Sequence, residues 1–214
     1  MKLPSHAPAL AFVLAAATSG ACAPAIPETT YYRLVPPPPT ERADNGVVMM
    51  VDELRVDAAY DDERIAYRTS PYTLEYYEYH RWSAPPGMLV SDFLRSAYAN
   101  TGEFARVIRD PEPEAAVVLS GRVIALEEVD RTPEVWWGHV ELELELRDAD
   151  TRELLWSKRV RERERLHERS PEGLAQAAGK AMRRVVDRTA PQIARAAQEA
   201  AEIGAPRAQR PINR

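Results

Sequence analysis

RIAYRTSPYTLEYYEYHRWSAPPGMLVSDFL, residues Arg64 to Leu94, is the stretch around which the chain reads as a fold. Arg64 to Thr69 alternates polar and apolar residues and is rich in β-formers. Ser70-Pro71-Tyr72-Thr73 is a turn, with Pro71 fixing the φ that a turn needs. Leu74 to His80 is a second extended run, dense in tyrosine. Ala84-Pro85-Pro86 then stops the strand and sets up a helix start. The spacing predicts a β-hairpin feeding a helix.

Working outward, a helix over 86–100 puts Leu89, Val90, Phe93, Leu94, Ala97 and Tyr98 on one face, with Gly102 as its C-terminal cap. Phe104 to Ile108 reads as a short strand and Ala115 to Val129 as a long one, in which Gly121 marks a bulge or a close backbone contact. Val140 to Leu146, VELELEL, alternates strictly, so Val140, Leu142, Leu144 and Leu146 share one face while Glu141, Glu143 and Glu145 form a solvated one. A turn over 148–152 returns the chain along Glu153 to Val160. Matching apolar to apolar sets Leu146 against Leu154, Leu144 against Trp156 and Val140 against Val160, and it also sets Glu141 against Arg159 and Arg147 against Glu153. Lys158 to Arg169 is a charged strand end in which acids interleave with bases. Ser170-Pro171-Glu172 starts a second helix, whose stripe is Leu174, Ala178, Ala181, Met182, Val185, Val186 and Ile193, with Pro191 expected to kink or restart it. Upstream, Val47 to Val51 is a buried strand that continues through Leu54 and Val56. The expected architecture over 47–203 is an α+β two-layer sandwich, a mostly antiparallel sheet with two amphipathic helices packed on one face. Residues 204–214 read as a disordered polar tail.

The N-terminus carries a different message. Residues 1–21 read as an export signal: Lys2, then the mainly apolar Ala7 to Ala17, too short to span a bilayer, then Ser19-Gly20-Ala21 before Cys22. Small residues before a cysteine are the pattern of a lipoprotein signal, although Ser19 stands where leucine is usual. Ordinary cleavage after Ala21 would leave Cys22 as a free thiol; lipidation also accounts for the one cysteine of the chain, which excludes an intrachain disulfide. Residues 22–46 form a lipidated tether whose run Pro36 to Pro39 favours polyproline II. The formal charge of −5, moving to −6 when Lys2 is removed, speaks against nucleic acid as a partner.

Reactive constellations are missing from the sequence. His6, His80, His139 and His167 sit in no metal-ligand spacing, and no nucleophile elbow, P-loop or dinucleotide fingerprint occurs. No enzyme activity, cofactor or metal is therefore expected. Aromatic residues are the better hint: five of the nine tyrosines fall between Tyr67 and Tyr79, and Trp82 follows. Trp136-Trp137 opens a strand, so the two rings point to opposite faces, one into the core and one outward. Tyr76, Tyr79, Trp82, Trp136 and Trp137 are the candidate partner interface.

The segments DERIAYR (Asp62 to Arg68) and YYEYHRWSAPP (Tyr76 to Pro86) resemble the signature of the ABC-type transport auxiliary lipoproteins. The resemblance extends from Cys22 to about Ala200, and Tyr31-Tyr32-Arg33-Leu34 resembles that family's short first strand. It implies a non-enzymatic, lipid-anchored, periplasm-facing subunit that works with an ABC transporter and an MCE (mammalian cell entry) domain protein in moving lipid between envelope membranes. It also allows several copies to ring the partner as a homo-oligomer. Ala23 rather than aspartate after Cys22 favours the outer membrane under the enteric sorting rule. The alternative from another class is an outer-membrane lipoprotein that activates a cell-wall synthase or an envelope assembly factor. A periplasmic hydrolase has no nucleophile motif behind it.

Overall fold

The chain, as a computed structural model, describes residues 27–40 and 46–204. The signal segment, Cys22 and the tail beyond Gly204 lie outside the described residues. The elements are β1 (Thr30–Tyr32), β2 (Val48–Val51), β3 (Arg55–Val56), a 3-10 turn (Ala58–Tyr60), β4 (Arg64–Arg68), β5 (Glu75–Trp82), α1 (Pro86–Thr101), β6 (Arg106–Ile108), β7 (Val117–Thr132), β8 (Val135–Asp148), β9 (Leu154–Arg165) and α2 (Pro171–Gly204).

β7 is the axis of the sheet. One of its edges carries β8 antiparallel along nearly its whole length, and β8 carries β9. The other edge takes three short strands laid end to end, all parallel to it: β2 at Val117 to Leu119, β3 at Arg122 and Val123, β4 at Glu127 to Val129. β6 pairs outside β2, β5 outside β4, and β1 outside β5. The expected hairpin and helix are present as β4, β5 and α1, but the sheet is not mostly antiparallel. Five of the eight strand pairings among the described residues are parallel. The reason is connectivity. The chain leaves β2, β3 and β4, crosses over through α1, and returns as β6 and β7 in the same direction. A crossover helix joins parallel strands, whereas a tight turn joins antiparallel ones.

The hairpin β8–β9 keeps the expected faces but not the expected register. Leu146 lies opposite Trp156, Leu144 opposite Lys158, Leu142 opposite Val160 and Glu143 opposite Arg159. Leu144 does not face Trp156. The pairing is displaced by two residues, so every side chain stays on its side. Two local features set the displacement. The Asp148 carboxylate accepts from the Asp150 and Thr151 amides, while the Asp148 amide donates to the Glu153 carbonyl and closes a four-residue loop. An irregularity between Leu146 and Arg147 then inserts Leu155 as an extra residue on β9. Trp156 is half-buried against the core rather than enclosed by it.

Both helices share one core with the sheet. Val90, Leu94, Ala97 and Tyr98 of α1 meet Leu174, Ala178, Met182, Val185 and Ile193 of α2 in the same cluster as Leu142, Leu144 and Leu146 of β8. The Tyr98 hydroxyl lies 2.7 Å from Thr189 Oγ1 and couples the two helices. Gly102 closes α1 at φ 80°, and Ser170 Oγ accepts from the Gly173 amide at the start of α2. α2 runs through Pro191 without ending. Side chains take up carbonyls in that turn: Gln192 Nε2 donates to Arg188 and Thr189 Oγ1 to Val185. Gly121 serves close approach, because a Cβ there would run into the Glu143 carbonyl of β8.

The proline-rich segment is docked where it is described. β1 extends the sheet beside β5, with Tyr32 opposite Trp82, and Leu34 is buried in the core. Asn100 at the end of α1 donates from its side chain to the Pro37 carbonyl, and its own carbonyl receives the Thr40 amide and hydroxyl. The folded unit therefore includes β1, ahead of residue 47.

Candidate functional site

The sheet brings the tip of the β4–β5 hairpin and the tip of the β7–β8 hairpin to one end. Val129 of β7 carries Arg68 on one side and Trp137 on the other, and Arg165 of β9 follows Trp137. Alternation sends Trp136 and Trp137 to opposite faces. Trp136 packs against the core, with the Arg169 guanidinium 5.9 Å from its ring centroid and the guanidinium also bonded to the Pro133 carbonyl. Trp137 is half-buried, beside the exposed turn Arg131 to Glu134. Tyr76 is half-buried: its hydroxyl donates to the Ala59 carbonyl at 2.6 Å, and the Arg64 guanidinium lies 4.8 Å from its ring centroid. Tyr79 is half-buried as well, and its hydroxyl is pushed up by the Glu78 carboxylate. Trp82 is a correction: at 1% exposure it is a core residue and offers no surface. Its place against β1 explains this, since β1 converts β5 from an edge strand into an inner one. Cys22 lies outside the described residues.

A second arrangement was not legible as a site. On the side of β7 and β8 away from the Leu142–Leu144–Leu146 stripe, polar side chains form a buried ladder. Glu127 is fully buried and accepts from the Tyr60 hydroxyl (2.8 Å) and pairs with Arg68 (2.7 Å) and His139 Nδ1 (2.7 Å). His139 Nε2 has no hydrogen-bond partner among the described residues and sits 3.8 Å from Glu141 Oε2. Glu141 is also buried, which corrects its reading as part of a solvated face. Burial works to raise its carboxyl, but hydrogen bonds from Arg161 and Arg159 outweigh it and hold the group low. Arg159 reaches Glu141 diagonally, because Glu143 is the residue directly opposite it. The ladder joins β4, β7, β8, β9 and the 3-10 turn, and its carboxylates are paired with its bases while His139 Nε2 and Arg68 Nε keep no hydrogen-bond partner among the described residues. Glu141, Glu143 and Glu145 all alternate with apolar residues in the sequence, so only the three-dimensional pairing reveals that Glu141 is the buried one.

Glu128 belongs to the opposite face. It is fully buried, its Oε1 accepts from the Tyr77 hydroxyl at 2.8 Å, and its Oε2 has no hydrogen-bond partner among the described residues. Burial pushes its carboxyl up to about 7. The same contact, together with desolvation, drives the Tyr77 hydroxyl strongly up. Rings extend from here toward the N-terminal strand: Tyr77 stands 4.7 Å from Tyr67 and 5.6 Å from His80, and His80 bonds to the Tyr32 hydroxyl at 3.0 Å. Among the described residues no cluster of His, Cys, Asp or Glu is arranged to hold a metal ion, and no helix is long and apolar enough to cross a membrane.

Comparison with known proteins places this geometry. A crystal structure of a Xanthomonas campestris protein assigned to the family DUF330 matches with a TM-score of 0.70 at 18% identity, covering 81% of this chain and 99% of its own. A second crystal structure, described as that of an uncharacterized protein, matches with a TM-score of 0.62 at 14% identity, covering 79% of this chain and 98% of its own. At these identities the likeness is one of fold. No curated protein matches the chain. The family described as the ABC-type transport auxiliary lipoprotein component matches residues 32–194, from the docked first strand to beyond the proline of α2. The chain belongs to the ABC-type transport auxiliary lipoprotein family.

Proposed function

We propose that this protein is a lipid-anchored, periplasm-facing subunit that serves an ABC transporter with an MCE-domain partner in intermembrane lipid transport, and that it acts by docking rather than by catalysis. The observation that carries the reading is the family match over residues 32–194, which makes the protein an auxiliary component of ABC-type transport. Cys22 is the anchor in this reading. Several buried acyl chains at ~0.8 kcal/mol per CH₂ exceed what stable anchoring requires. Ala23 directs the anchor to the outer membrane, and several copies surround the partner.

The docking surface is the sheet end that carries Trp137, Tyr76 and Tyr79. Trp137 is its central anchor, because the facing Trp136 is engaged by the core and by Arg169. A half-buried ring beside an exposed polar turn has the make-up of an interface hot spot with its rim. Trp137→Ala is expected to weaken binding to the partner by ~2 kcal/mol or more with the thermal melt little changed, whereas Trp136→Ala lowers the melt. Co-purification of each variant with its partner, run beside a melt, checks this. Full partner binding by Trp137→Ala, together with that by Tyr76→Ala and Tyr79→Ala, would place the interface elsewhere.

A further inference from the structure

Between β1 and α2 lies an open groove of about 610 Å³ that neither the fold nor the proposed docking surface uses. One wall is the N-terminal strand and the residues after it; the other is a stripe of α2 that leaves the core at Ala175 and runs out through Gly179 to the exposed Arg183 at helical spacing. Tyr31 and Val35 on the first wall are 61% and 62% exposed, a large apolar surface for single residues on a proline-rich segment. Gly179 keeps the second wall low: a Cβ there would reach contact distance from the Val35 carbonyl. Arg33, Lys180 and Arg183 line the groove and are exposed, against the one carboxylate of Glu172. Among the described residues Arg33 and Arg183 have no ion-pair partner, and Lys180 reaches only Glu164, at 3.8 Å. On a chain of net charge −5, this is a cationic rim around an apolar floor.

We propose that this groove seats an anionic phospholipid of the membrane that anchors the chain, its phosphate between Arg33 and Arg183 and its upper acyl segments against Tyr31 and Val35. The inference rests on Cys22 being the lipid anchor. Seven residues lie between Cys22 and Thr30, which makes eight chain steps, so β1 stands no more than about 29 Å of extended chain from the anchoring cysteine. That is within reach of headgroups without any movement of the folded domain. Guanidinium groups suit phosphate by bidentate geometry, and basic side chains are attracted to anionic headgroups. The acyl chains hold the protein at the membrane by themselves, and the basic patch adds a contact that orients it. The groove thereby fixes the orientation of the domain, with β1 and α2 toward the lipid.

The test uses the full chain, purified with its lipid and reconstituted into vesicles of phosphatidylcholine alone or with phosphatidylglycerol. A bimane label is placed through Tyr31→Cys, or through Tyr72→Cys at the hairpin tip as reference. Brominated phosphatidylglycerol is expected to quench the Tyr31 label several-fold more than the Tyr72 label, and more than brominated phosphatidylcholine does. Arg33→Glu with Arg183→Glu should bring the Tyr31 signal down to the reference while the protein still floats with the vesicles. Equal quenching at both positions, equal quenching by both lipids, or quenching that survives the charge reversal would overturn the proposal. So would a Tyr31 label shielded by a second copy of the chain. Failure of the anchor itself gives a different result: the chain would not float, and its Cys22 thiol would take up label.

Discussion

Two buried glutamates on neighbouring strands, Glu128 of β7 and Glu141 of β8, respond to acid in opposite directions. Glu128 is raised by burial from 4.5 to about 7, so the folded protein holds this proton more tightly than the unfolded chain. Its contribution to stability is complete below pH ~4.5 and is lost as pH rises through about 7. Glu128→Gln keeps an acceptor for Tyr77 and is expected to flatten this slope, stabilising the protein at pH 8 by up to about 3 kcal/mol. Urea midpoints at pH 5 and pH 8 check it; an unchanged slope in the variant would mean another group titrates. Glu141 is held low against its burial by Arg161 and Arg159, so its contribution is present above the unfolded carboxyl value and lost as pH falls through its folded one. Glu141→Gln is expected to cost about 1–3 kcal/mol at pH 7, read by the same denaturation. Neither role was legible beforehand. VELELEL marks Glu141 as an outward residue, and it is one, but Arg159 and Arg161 of β9 and the His139–Glu127 pair cover that outward face. A period of two says which side a residue is on and nothing about what lies over that side.

At the scale of elements, strands and helices were readable and their pairing was less so. α1 with its glycine cap, α2 with its serine cap, the β4–β5 hairpin and the close contact at Gly121 all follow from local chemistry, and all are present. The register of β8 and β9 was misread by two residues because apolar and charge matching repeat with that same period: Glu143 accepts Arg159 as a neighbour as readily as Glu141 does. Only the Asp148 loop and the extra residue at Leu155 break the tie. Two consequences can be measured. Trp156 is half-buried, so Trp156→Ala should cost about 1–3 kcal/mol, below the ~3–5 of a fully buried ring. Gly121→Ala pushes a methyl group into the Glu143 carbonyl where the two longest strands meet, and is expected to cost ~1–3 kcal/mol or more. A Gly121→Ala protein as stable as its parent would show that β7 and β8 separate more easily than their long ladder implies.

For the whole molecule, the parallel half of the sheet was hidden because strands that pair across a crossover helix share no turn and no charge pattern. β2, β3 and β4 lie along β7 although their residues precede it by some sixty positions. The signature segments pointed to the family without needing that topology, and the match over residues 32–194 bears the family out. The described part of the expected tether belongs to the folded unit, since β1 and the residues up to Thr40 are held against β5 and the end of α1. In the function proposed above, this domain serves an ABC transporter through an MCE-domain partner. The most direct measurement is to solubilise membranes gently, capture the intact lipidated chain, and identify the proteins and lipids held with it. The expected catch is an MCE-domain protein with the ABC permease, retained by the wild type and lost from Trp137→Ala. Capture of a cell-wall synthase with no transporter component would contradict it.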